Sequence, residues 1–231
     1  MNNTENIKSY LIEFAEGRVG VPEFLEYCKK NPEVLDYLTN IADPTFKTGI
    51  VHKKIGEDGW PQYISEELPF NAKLFIDEQT KRERSTLAKH LNIHHLFSSV
   101  LITAFPNDNI VMDETLSEKF GFMLDACPEY IGGEEVDEIL ENLLESIPEG
   151  LSKTKKVKLY KEQVKAMFHI EKNKYPRWVQ SAEWPLGQNN KPMRFIEHNR
   201  KKGKEYAMMM YTEFCFEDIE TGEQRVFEQF T

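Results

Sequence analysis

His90, His94 and His95 are the one place where the six histidines of this chain come together. On a helix, the i, i+4 spacing of His90 and His94 sets both rings on one face. A metal site would also want a carboxylate or a third ligand in a suitable position. His95 points about a quarter-turn away from His94, and Asn92 between them favours a helix boundary. Surface or capping histidines are the simpler expectation, and no metal is expected. A nucleophile needs a base and an orienting group beside it. Ser98-Ser99 lies in an apolar stretch outside any GxSxG setting. Cys127 precedes Pro128 with acids around it, which disfavours its thiolate. The three cysteines, Cys28, Cys127 and Cys215, are too scattered for a disulfide framework or structural zinc. There is neither a Walker A loop nor a GxGxxG run, so no cofactor is expected.

Carboxylates are the more abundant candidates. Glu134, Asp137, Glu138, Glu141 and Glu145 fall on one side of an amphipathic helix. Its other side carries Val136, Ile139, Leu140, Leu143, Leu144 and Ile147. Paired acids could do acid–base or metal work, but this spacing also describes a solvent face. A docking surface for a basic partner is the functional alternative. Gly132-Gly133 precedes this helix, where backbone N–H groups could meet an anion. Glu134 and Glu135 already bring negative charge to that end, which reads as a turn with dipole-compensating acids.

The elements that would position these groups are mainly helical. Ile7, Tyr10, Leu11 and Phe14 follow the spacing of one helix face, and Gly17 ends that helix. Pro22 and Pro32 each open a further short helix, so the start of the chain reads as a small bundle. Between residues 43 and 70, Asp43-Pro44, Gly49, Gly56, Gly59-Trp60-Pro61 and Leu68-Pro69 break any long helix. Helical patterning resumes near Ala72, and Leu96 to Phe105 reads as a buried helix. A basic helix from about Ser152 to Glu171 follows the acidic one and could neutralise it by packing alongside. At Lys174-Tyr175-Pro176 the period changes to two. Met193 to His198, Tyr206 to Glu217 and Arg225 to Phe230 read as three strands, with Lys201-Lys202-Gly203 turning the first pair. The fold class predicted is α+β: a helical part over 1–172 packed against a three-stranded antiparallel meander over 173–231, together forming one cooperative domain.

Charge excludes some functions. The net charge is -10. From Asp113 to Glu149 there are twelve acids and one base, and from Leu151 to Arg177 nine bases and two acids. An acidic whole repels nucleic acid, so no nucleic-acid partner is expected, whereas a basic protein partner would be attracted. No apolar run approaches the roughly 18 residues needed to span a bilayer, and Met1 to Asn6 lacks the pattern of a signal peptide. A cytoplasmic protein without membrane association is expected.

The most distinctive stretch is Pro176-Arg177-Trp178-Val179-Gln180-Ser181-Ala182-Glu183-Trp184-Pro185. Trp178, Glu183, Trp184 and Pro185 look like a structural clasp between helix and sheet. Lys191-Pro192-Met193-Arg194-Phe195-Ile196, the Asp218 to Glu223 turn and Glu228-Gln229-Phe230 follow it. This ensemble, about the last 60 residues, resembles a C-terminal module of uncharacterised bacterial proteins, some of which look like immunity proteins of polymorphic toxin systems. Where that pattern has Asn-Gly before Lys-Pro, this chain has Asn189-Asn190. The resemblance implies a non-enzymatic protein that binds and blocks a cognate toxin domain, and it supplies no catalytic residues. Many such toxins are basic nucleases, which an acidic inhibitor suits. Two alternatives stay open: an enzyme with its site near His90, His94 and His95, or a module that self-associates through a sheet edge or the Met208-Met209-Met210 strand.

Overall fold

A computed structural model of the chain describes residues 3–56, 60–133, 135–202 and 210–230. The fold is α+β, and the chain divides into two compact units, Met1–Phe120 and Gly121–Thr231. The helical residues after 121 fall in one unit with the C-terminal sheet, and ring contacts link them through Trp184, which meets Phe168 at 5.2 Å and Phe216 at 5.4 Å.

The first unit is built on α1 (Asn3–Ala15), α2 (Val21–Lys30), α3 (Glu33–Ile41), α4 (Ala72–Arg82) and α5 (Thr86–Ala104). Leu11 and Phe14 of α1, Phe24 of α2, Leu38 of α3 and Phe97 and Leu101 of α5 are fully buried in one cluster. Phe14 stacks on Phe24 at 4.0 Å between centroids, and Phe24 meets the edge of Phe97 at 5.8 Å. Gly17 ends the first helical segment with φ +75, a conformation that costs a β-carbon-free residue little. A β-carbon there would also lie 2.6 Å from Asp113 Cγ. Asn71 and Ser85 cap α4 and α5, each accepting a backbone N–H from three residues on at 2.9 Å.

Asn92 does not interrupt α5. Its side chain donates to Gln79 Oε1 at 2.9 Å, which satisfies the amide and lets the helix run through. Residues 43–70 form more than a broken loop. β1 (Lys47–Ile55) and β2 (Pro61–Pro69) pair as an antiparallel hairpin, with Lys47 opposite Pro69 and Ile55 opposite Pro61. Buried Thr48 anchors its base, where Thr48 Oγ1 accepts Asn71 N–H at 2.9 Å.

α6 (Thr115–Ala126) carries the dividing point between the units. The second unit then holds α7 (Asp137–Glu145), α8 (Lys153–Met167) and the sheet β3 (Arg194–Lys202), β4 (Met210–Glu217), β5 (Gln224–Phe230), in the order β3-β4-β5. The antiparallel meander expected from period-two patterning is present. Lys201 and Lys202 do not turn the chain; they sit in β3 opposite Tyr211 and Met210. Met208 and Met209 lie outside the described residues. The inner sheet face is aromatic: Phe195, Phe214 and Phe216 are buried, and Phe216 meets Trp184 edge-on at 5.4 Å, as Phe168 does at 5.2 Å. α8 closes on α7 through Tyr160, whose hydroxyl donates to Leu140 O at 3.2 Å.

Candidate functional site

His90, His94 and His95 all lie on α5, in different surroundings. His94 is buried in the first unit, and its Nε2 lies 3.2 Å from Phe14 O. A carbonyl only accepts, so that nitrogen carries the proton. The ring also meets Phe14 edge-on at 5.1 Å. His94 therefore ties α5 to the end of α1. His90, one turn earlier on the same side of α5, is half-buried, and His95 is exposed. Among the described residues no group of three or more His, Cys, Asp and Glu side chains is arranged to hold a metal ion. Ser98 is fully buried inside α5, out of reach of any substrate. The Cys127 thiol is pushed up to about 11, by burial first and by the Asp137 charge second. Burial likewise pushes Cys28 up to about 12. At neutral pH neither is a thiolate.

The acidic helix splits along its length. α7 begins at Asp137, and Glu134 lies outside the described residues. Glu138 and Glu145 are exposed, Asp137 is half-buried, and Glu141 is only 9% exposed. Glu141 therefore does not belong to the solvent face that its spacing suggests. Tyr160 of α8 feels its charge, which places that carboxyl beside the α7–α8 contact. What remains as an acidic surface around α7 is Glu135, Glu138, Glu145 and Glu149.

The clasp takes shape around two tryptophans. Trp178 lies 4.7 Å from Phe214 between ring centroids, and its Nε1 donates to Tyr130 O at 2.9 Å. Trp184 donates from Nε1 to Met193 O at 2.8 Å and from its backbone N–H to Gly132 O at 2.9 Å. Pro185 is buried, while the Glu183 side chain is exposed. Glycine at 133 serves this approach: it has φ +115, and a β-carbon there would stand 3.3 Å from the Glu183 Cα and the Trp184 N. The Gly132-Gly133 pair thus seats the clasp.

Two roles had no strong sequence signal. Buried Gln229 accepts the N–H groups of Val179 and Gln180 at 3.1 and 3.0 Å and donates to Ser181 O at 2.9 Å. Asp218 accepts from Gln188 N–H at 3.0 Å and Glu220 N–H at 2.9 Å, and these backbone donors hold its carboxyl below the usual aspartate range. Both residues stand in the motifs of the resemblance, and their surroundings give those motifs a structural reason.

Uncovered apolar groups concentrate in two places. On the hairpin, Trp60 is 72% exposed and Tyr63 68%, with Ile55 and Ile64 also exposed. On the outer face of the C-terminal sheet, Val226 is 59% exposed and Phe230 48%. A groove beside Gly17, holding about 520 Å3 and open to solvent, is lined by Glu16, Arg18, Asp113, Glu114 and Glu118 among others. It contains no histidine or cysteine.

No family model, curated protein or solved structure matches this chain. Among the described residues no helix is long and apolar enough to cross a membrane.

Proposed function

We propose that this protein is a non-enzymatic immunity protein that neutralises a cognate bacterial toxin by binding its basic domain. The observation that carries this reading is the exposed acid of the second unit: Asp125, Glu129, Glu135, Glu138, Glu145 and Glu149 all face solvent, within a chain of net charge -10. Such a surface speeds the encounter with a basic partner and repels acidic ones. The His90, His94 and His95 reading has less support, because His94 is occupied by the backbone of α1. The test is co-expression with a basic toxin encoded beside this chain. Protection of the cells and a complex that survives purification are the expected results. No protection and no complex would sink the reading.

Self-association is a second reading, favoured by the exposed Tyr63, Ile55 and Ile64 of the β1–β2 hairpin. A two-stranded ribbon is marginal by itself in water, so a second copy covering it would stabilise it. Sedimentation that finds only monomer at high concentration would remove this reading.

A further inference from the structure

We propose that the outer face of the β3-β4-β5 sheet is the docking surface for a basic segment of the partner, its cations meeting Glu197, Glu213 and Glu228 and an apolar side chain resting on Val226 and Phe230. This rests on the partner-binding reading above and deepens it.

The strand register brings the charges together. Glu213 of β4 stands directly opposite Glu228 of β5, and Glu197 of β3 stands opposite Cys215, one diagonal step away. Like charges directly opposite each other weaken a sheet. Lys201 pairs with Glu213 and also feels Glu228, so a single lysine serves both carboxylates. Among the described residues of this face four carboxylates, counting Glu217, stand against two cations, Arg194 and Lys201. Added positive charge would relieve this arrangement, and a basic partner supplies it.

The apolar side of the argument lies on the same strands. Val226 and Phe230 alternate with Glu228 along β5 and point to the same side of the sheet. Phe230 lies 5.9 Å from Tyr211 between ring centroids. An apolar patch between carboxylates suits a segment that alternates basic and apolar residues, since an extended strand presents every second side chain to one side. β5 is the last strand in the sheet order, and Gln180 Nε2 already donates to Phe230 O at 3.1 Å, so the segment is held through side chains on this face rather than as an added strand. On α7, by contrast, Glu141 is buried, and among the described residues that helix itself carries no large apolar side chain exposed to this degree.

The experiment is an NMR titration of the isotope-labelled full chain with the synthetic peptide Lys-Phe-Lys-Val-Lys-Phe-Lys, acetylated and amidated. Amide shifts confined to β3, β4 and β5 are expected, with binding weakened by added salt. Glu197→Lys with Glu228→Lys is expected to weaken binding about tenfold or more, and Val226→Asp to weaken it similarly. The milder Glu228→Gln and Val226→Thr keep the test valid if a reversal disturbs folding, and they are expected to weaken binding to a smaller degree. Glu23→Lys with Glu33→Lys, exposed in the first unit, should leave it unchanged. Shifts centred on α7, shifts spread over the whole surface, or an affinity indifferent to Val226 would overturn the proposal. If toxin protection holds in cells while the peptide avoids this face, the docking face is wrong and the immunity reading survives. Peptide binding at the face without protection in cells overturns the immunity reading and leaves the face as a site for basic segments of another partner.

Discussion

Ser98 shows how little a promising residue type says before its surroundings are known. As a serine beside another serine it invites a nucleophilic reading, yet its Oγ is buried without a hydrogen-bond partner among the described residues. A buried unsatisfied hydroxyl costs stability. Ser98→Ala is therefore expected to raise the unfolding free energy by about 1 kcal/mol, measured as a higher urea midpoint with unchanged slope. A lower midpoint would mean that the hydroxyl is satisfied. Asp218 acts in the opposite sense. Its carboxylate receives backbone N–H groups, which lowers its folded-state pKa below the ordinary value near 3.8. A group depressed in this way stabilises the fold above its unfolded value, and the contribution fades as pH falls through the lower folded value. The stability gap between the wild type and Asp218→Ala should then be larger at pH 6 than at pH 3, as read by denaturant titration. A gap independent of pH would place the role of Asp218 elsewhere.

At the scale of elements, the strap from Pro176 to Pro185 has no regular secondary structure and is held by single side chains. Gln229 satisfies two N–H groups and one carbonyl of this strap from the edge strand β5. Gln229→Ala removes both of its amide atoms at once. A loss of about 2 kcal/mol is expected from the polar groups left behind, together with faster amide exchange at Val179 and Gln180. Unchanged exchange at those two positions would refute the latch. The hairpin is the opposite case, an element nearly bare on both sides. That bareness explains why it was illegible: with little of either face buried along most of its length, no period-two apolar pattern is required of its sequence. Gly49, Gly56, Gly59, Pro61 and Pro69 then read only as breakers. Asn92 misled for a related reason, since its partner Gln79 belongs to a different helix.

Over the whole molecule, charge is the property with the longest reach. A net charge of -10 steers encounters before any contact forms. The association rate with a basic toxin domain should fall on the order of tenfold or more when salt is raised from low to several hundred millimolar, while the dissociation rate changes much less. Stopped-flow mixing at several salt concentrations measures both. A salt-independent association rate would remove electrostatics from the mechanism.

Local rules set much of this protein from sequence alone: the α+β class, the prolines that open α2 and α3, the glycine that ends the first helical segment, and the strands of the meander. Periodicity and turn chemistry act within a few residues, so they can be read along the chain. The tertiary structure decided the remainder. It buried Glu141 although its spacing matched exposed Glu138 and Glu145. It turned His94 to a backbone carbonyl 80 residues away in sequence. It set Glu213 against Glu228 and left Val226 and Phe230 bare beside them. Each of these depends on which surfaces meet, and burial is a property of pairs of elements that no single segment encodes.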